Sequence, residues 1–317
     1  MEKRRLGKSD LMIAPVMLGG NVLGWTAPEK TAFEILDAFL DAGLNAIDTA
    51  DVYSAWIPGH KGGESETVLG NWFAARKNRD KVMLATKVGM LPLGGKVQLT
   101  KARVTEAVDA SLKRLKTDYI DLYFAHRDDQ ETPLEETLEA FASLVKAGKV
   151  RAIGASNYSA ARLSDALAIS EKKSLPRYEV LQPLYNLYDR QAFEDELEAV
   201  CRGGGVGVVP YFALAYGFLT GKYRSEADVK KSPRGDKAIQ LYLNPRGLKI
   251  LAALDAVSAR LDATPAQVAL AWLIAKPAIT APIASATSLT QLKDLIAAAN
   301  LKLDRDAMGE LDAASAQ

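Results

Sequence analysis

The feature that most constrains this chain is an alternation. Short apolar runs, each about one strand long, recur from end to end, and helix-like stretches fall between them. PVMLGG 15–20, LNAIDTA 44–50, KVMLATKVG 81–89 and YIDLYFAH 119–126 come first. VRAIGASN 150–157, YEVLQPLYN 178–186, VGVVPYFAL 206–214 and ITAPIASA 279–286 complete the set. Continuous hydrophobicity of this kind suits parallel strands covered on both faces. Helix candidates follow at 31–43, 100–117, 133–148, 159–170, 192–205 and 288–301. In the third, Leu134, Leu138, Phe141 and Val145 share one helical face, with Pro133 at the start and Gly148 just past the end. Eight such units without a linker predict an α/β fold, a single (β/α)8 TIM barrel over residues 1–317.

A doubly wound sheet is the rival, and it brings a glycine fingerprint between a strand and its helix. The nearest match, GGGVG 203–207, follows a helix and precedes a strand, which is the reverse order. Two segments lie outside the eightfold pattern. KRRLGKSDLMIA 3–14 reads as an N-terminal hairpin turning near Gly7–Lys8, suited to plugging one barrel end. Residues 221–244 form a long, polar βα loop insertion of the kind that covers active sites.

Composition closes off other classes. The chain has 317 residues, 48% hydrophobic and 25% charged, enough for a large core. A net charge of +1 gives no electrostatic case for nucleic acid or an anionic membrane. One cysteine, Cys201, excludes an internal disulfide framework. No apolar run approaches the length of a membrane span, and the basic N-terminus precedes no secretory core. A cytoplasmic location is expected. No interface signature assigns an oligomeric state. Two histidines, one cysteine and no HExxH make a zinc site improbable, and no metal is expected.

Barrel active sites lie at the C-terminal strand ends. There the chain carries Asp48, Lys87, His126, Ser156, Asn157, Gln182 and Tyr211, with Tyr53 on the loop after the second run. A lysine and an aspartate at adjacent buried strand ends are expected to pair, since burying either alone is costly. On this reading Asp48 holds Lys87 rather than meeting Tyr53. Lys87 then lowers the pKa of the Tyr53 phenol, making it a useful acid. Each residue has a plainer role available: Asp48 as a turn cap, Lys87 as a solvated strand end, His126 as a structural histidine. Their joint arrival at one mouth favours proton transfer. Two further readings stay open: a Schiff-base aldolase using Lys87, and a low-turnover regulatory barrel that holds nucleotide.

These motifs resemble those of the aldo-keto reductases, over essentially the whole chain and in order. DTADVY 48–53, GGESETVLG 62–70, ATK 85–87, DLYFAH 121–126, GKVRAIGASNYS 148–159 and ALAYGFLTGKY 213–223 carry the likeness, which is closer to bacterial and channel-β-subunit-like branches. The resemblance implies an NAD(P)H-dependent oxidoreductase that reduces small aldehydes or ketones. Tyr53 would be the general acid, Lys87 and Asp48 would tune it, and His126 would orient the carbonyl. Ser156, Asn157 and Gln182 would bind the nicotinamide carboxamide, and Tyr211 would stack on the ring, with Gly20 and Phe212 nearby. Leu214, Gly217, Leu219 and Lys222 would hold the pyrophosphate. Ser285, Ser288, Gln291 and Asp294 fall at the adenosine end. No arginine reaches that end, which leaves NAD(H) or dual use open, although the resemblance favours NADP(H). Asn21, Trp25 and Trp56 are candidate substrate-pocket residues.

Overall fold

The computed structural model describes residues 2–92 and 94–316. Strands β1 (Arg4–Arg5) and β2 (Met12–Ile13) pair antiparallel as the expected hairpin. The barrel strands are β3 (Met17–Gly19), β4 (Ala46–Asp48), β5 (Met83–Val88) and β6 (Ile120–Ala125). They continue as β7 (Val150–Ser156), β8 (Tyr178–Gln182), β9 (Gly207–Val208) and β10 (Ile283–Ala284). All pairs are parallel, in the order β10-β3-β4-β5-β6-β7-β8-β9. The two ends of that order meet. Thr280 N donates to Val208 O at 2.8 Å and Ile283 N to Pro210 O at 2.9 Å, which closes the (β/α)8 barrel.

The outer ring contains α1 (Glu29–Asp41), α2 (Glu64–Arg76), α3 (Lys101–Leu115), α4 (Leu134–Lys146), α5 (Ala160–Lys173) and α6 (Glu198–Gly204). One π-helical turn, Phe193–Leu197, leads into α6. The 221–244 insertion holds a short 3-10 turn, Glu226–Lys231, and α7 (Gly235–Tyr242). Then come α8 (Pro245–Leu261) and α9 (Pro265–Ala275), absent from the strand-and-helix pattern read above, and finally α10 (Leu289–Ala298) and α11 (Arg305–Ser315). Helix α9 starts at a reciprocal cap between Thr264 and Gln267. It is buried almost all round and so has no polar face to reveal it. None of the described helices is long and apolar enough to cross a membrane.

The barrel interior explains the mouth. Ala46, Ala85, Phe124, Val180, Val209 and Ile283 belong to one inner core, with Leu6 and Ile13 of the hairpin plugging its lower end. Arg4 fixes the plug by donating to the carbonyls of Ile274, Ile279 and Thr280. Gly154 leaves room for the Phe124 ring, since a Cβ there would lie 2.4 Å from Cε1. Side chains two apart on a strand share a face. One step up from the inner core therefore gives Asp48, Lys87, His126, Gln182, Tyr211 and Ser285. The polar layer is the top of the same inward-facing columns.

Candidate active site

Lys87 is fully buried and uses all three ammonium hydrogens. Its Nζ donates to Asp48 Oδ2 at 2.6 Å, to the Thr49 carbonyl at 2.7 Å and to Tyr53 OH at 2.9 Å. Gln182 Nε2 donates to the other Asp48 oxygen at 3.0 Å. The expected Asp48–Lys87 pair is present. However, Asp48 also meets Tyr53 directly, since the phenol donates to Oδ2 at 3.1 Å. The expectation that these two were not partners is corrected. The turn after β4 is tight enough to fold Tyr53 back over the carboxylate, with Tyr53 N bonded to Ala50 O.

The electrostatics correct a second expectation. The Tyr53 pKa is not lowered; it is pushed well above the ordinary phenol range, first by burial and then by the charge of Asp48. Loss of water and the Asp48 charge outweigh the opposing charge of Arg234. Burial also lowers the Lys87 pKa, an effect that Asp48 opposes. His126 sits 6.1 Å, ring to ring, from Tyr53, and burial followed by the charge of Lys87 pushes its pKa well below the imidazole range. At neutral pH the site presents a protonated phenol and a neutral imidazole.

A cleft of about 770 Å³ opens above this cluster. Asn21, Trp56, Tyr53, His126, Ser156, Asn157, Gln182, Tyr211, Phe212 and Leu214 line it, as do Gly217, Lys222, Ser285, Gln291 and Asp294. Gly20, Trp25, Leu219 and Ser288 stand behind its wall. Gly20 lets α2 and β4 come close, since a Cβ there would lie 2.9 Å from Ser65 Oγ and 3.0 Å from Asp48 O. Trp25 packs edge-on against Trp56 at 5.8 Å. Leu219 is in the core. Ser288 caps α10. Asn157 is fully committed: its Nδ2 donates to His126 O and Ser156 Oγ, and its Oδ1 accepts from Tyr211 OH at 2.7 Å. Asn21 Oδ1 accepts from Ser285 Oγ at 2.5 Å, tying the substrate-side candidate to the adenosine-side one.

The loop after β9 is unusual. Phe212, Ala215, Tyr216 and Gly217 all have left-handed backbones, with φ of 51°, 47°, 56° and 89°. Such non-glycine residues cost on the order of 1–3 kcal/mol each and cluster at functional sites. Gly217 N and Leu219 N both donate to Leu214 O, so these two amides are already engaged. The cations nearby are not. Lys222 and Arg234 line the cleft without an ion pair among the described residues, and the Arg234 guanidinium lies 5.9 Å over the Trp25 ring. Sequence reasoning missed Arg234. Its only signal was SPRG inside the polar insertion, which carries it back over the mouth.

Behind Lys87 lies a buried ionic cluster. Asp51 N donates to Lys87 O at 3.3 Å. Both carboxylate oxygens of Asp51, the hydroxyl of Tyr123 and Nε of Arg103 are buried without a hydrogen-bond partner among the described residues. Glu66 is satisfied by Thr86 Oγ1 and Arg114 Nε, each at 2.6 Å. Burial, then the charge of Glu66, pushes the Asp51 carboxyl up to about 7.

Fold and site together define a parallel (β/α)8 barrel whose mouth holds a phenol, an ion pair and an imidazole beneath a cation-bearing cleft. Residues 15–316 match the Aldo/keto reductase family, and the chain belongs to it. It is 36% identical to "Uncharacterized oxidoreductase YrpG" of Bacillus subtilis, over 98% of this chain and 95% of that protein. It is 32% identical to Protein tas of Escherichia coli, over 99% and 97% respectively. It is 30% identical to a probable voltage-gated potassium channel subunit beta of Arabidopsis thaliana, over 93% and 90%. Membership supports an oxidoreductase that uses a nicotinamide cofactor.

Proposed function

We propose that this protein reduces aldehydes or ketones to alcohols, with NADP(H) as its nicotinamide cofactor and Tyr53 as the proton donor. One observation carries the reading: Lys87 Nζ bonds Asp48, the Thr49 carbonyl and Tyr53 OH at once. The cleft fits the cofactor chemically. Lys222 and Arg234 offer unpaired charge for phosphates, Tyr211 offers a ring face, and Gln182 keeps its Oε1 for a carboxamide. When bound, the nicotinamide supplies the hydride.

The chain's own residues do the rest. His126, neutral, orients the carbonyl oxygen toward Tyr53. The Tyr53 hydroxyl gives its proton to that oxygen as negative charge develops there. The phenolate left behind accepts from Lys87 Nζ, whose charge stabilises it on a half-buried wall of the cleft. Asp48 and Gln182 keep Lys87 aimed. The aldolase reading gains no support, because an amine with three hydrogen bonds and no exposure is poorly placed to attack a carbonyl.

Tyr53→Phe tests the reading. Reduction of a reactive aldehyde by NADPH should fall by roughly 10²–10⁴-fold, the usual worth of a positioned acid. NADPH affinity, followed by fluorescence, should hold. Near-wild-type turnover in the variant would remove Tyr53 from the role. A wild-type protein that binds NADPH but turns over none of a panel of aldehydes would favour the regulatory barrel.

A further inference from the structure

We infer that Asn186, a buried side chain that does not line the cleft, is a positioning residue for the cofactor: with Asp189 and Tyr242 it sets the shape of the left-handed loop after β9. The inference rests on the nicotinamide reading above and names what holds that end of the site in place.

Asn186 lies on the loop after β8 and is fully buried. Its carboxamide is used completely. Oδ1 accepts from Tyr188 N at 2.8 Å and from Asp189 N at 2.9 Å, which folds the loop around it. Nδ2 donates to Asp189 Oδ2 at 2.9 Å and to the Phe212 carbonyl at 3.0 Å. An amide supplies two donors and two acceptors in one short side chain, whereas a carboxylate or a hydroxyl does not. Phe212 is left-handed, and such a residue persists only where its surroundings hold it. It follows Tyr211 directly. Its carbonyl also accepts from Ala215 N at 2.8 Å, as the loop turns toward Gly217 and Lys222. Asn186 thus grips the chain between the residue offered to the nicotinamide ring and those offered to the phosphates. Asp189 extends the grip. The same Oδ2 accepts from Tyr242 OH at 2.8 Å, and Tyr242 ends α7, the helix that begins directly after Arg234. The loops after β8 and β9 and the insertion therefore meet at Asn186 and Asp189, neither of which lines the cleft.

The test is a fluorescence titration of the full-length protein with NADPH, beside the KM for benzaldehyde at saturating NADPH and the unfolding midpoint. In Asn186→Ala the lost hydrogen bond to the loop predicts NADPH affinity about tenfold weaker, with the KM for benzaldehyde little changed. Tyr242→Phe removes one hydroxyl and keeps the packing, and should weaken affinity by about threefold. Asp189→Asn keeps an oxygen for both donors and should retain the affinity that Asp189→Ala loses. A purely structural role predicts lower unfolding midpoints with wild-type affinity. That result in Asn186→Ala or, if that variant does not fold, in Tyr242→Phe overturns the inference. Equal loss in Asp189→Asn and Asp189→Ala overturns it too, since charge rather than shape would then matter. Wild-type protein that binds neither NADPH nor NADH removes the cofactor reading, and the inference with it.

Discussion

At the scale of single residues, the site is a set of pKa values moved apart by burial. Tyr53 keeps its proton because burial strips much of its water and Asp48 is close. His126 stays neutral for the first of those reasons and because Lys87 is positive. Reduction of an uncharged aldehyde should therefore show no inflection near 6.5, the ordinary imidazole value. An inflection there would mean that His126 ionises in the working enzyme. The alkaline limb should belong to Lys87, whose pKa lies below the usual lysine range. Asp48 raises that pKa against the effect of burial, so Asp48→Asn should move the limb to lower pH. A pH profile of kcat/KM in both proteins reads this directly. An unmoved limb would separate Lys87 from it.

At the scale of elements, the loop after β9 and the insertion behind it shape the cofactor end. The insertion is held by Arg224, which grips Asp255 of α8 at 2.7 and 2.8 Å, and by Tyr223 against Ser232 at 2.5 Å. That brace is what presents Arg234. Gly217 is the sensitive point of the loop. Its φ is 89°, and a Cβ would come within 3.1 Å of Lys222 Nζ. Gly217→Ala should strain the loop by about 1–2 kcal/mol and push Lys222 aside. NADPH affinity should weaken about tenfold, while the KM for a neutral aldehyde changes little. Unchanged affinity in a fluorescence titration would show that the loop does not hold phosphate. Sequence pattern reached β3 to β10 because each is a continuous apolar run. It did not reach α9, whose apolar surface faces inward on every side.

At the scale of the whole molecule, the barrel encloses a carboxyl whose oxygens accept no hydrogen bond among the described residues and whose ion-pair partner, Arg103, stands off at 4.0 Å. Asp51 keeps its proton in the folded state up to about 7, whereas an unfolded aspartate releases it near 4. Between those values the folded state binds more protons, so the Asp51 contribution falls as pH rises and stays low above. The effect of His126 runs the other way, since an unfolded imidazole takes up a proton that the folded one refuses. Comparing Asp51→Asn with the wild type isolates the carboxyl. The lead of the variant over the wild type in urea should grow between pH 5 and pH 8, by on the order of 2–3 kcal/mol. Equal unfolding midpoints at pH 8 would show that Asp51 is not held protonated.

The same scale shows what was legible in the sequence. Asp48, Lys87 and His126 could be placed because strand periodicity fixes which side chains reach the mouth. The contact between Asp48 and Tyr53 depends on the path of a turn, and the Tyr53 pKa on how much water a closed barrel excludes. Neither follows from spacing. Arg234 depends on how a polar insertion folds back, which apolar periodicity does not encode.

The seam of the barrel orders events in time. Met17–Gly19 of β3 has Ala46–Asp48 on one side and Ile283–Ala284 of β10 on the other. A growing chain has made Asp48 and Lys87 long before it makes β10. A chain without β10 leaves that edge of β3 unpaired, so the wall of the barrel is complete only once the last of its strands has been made.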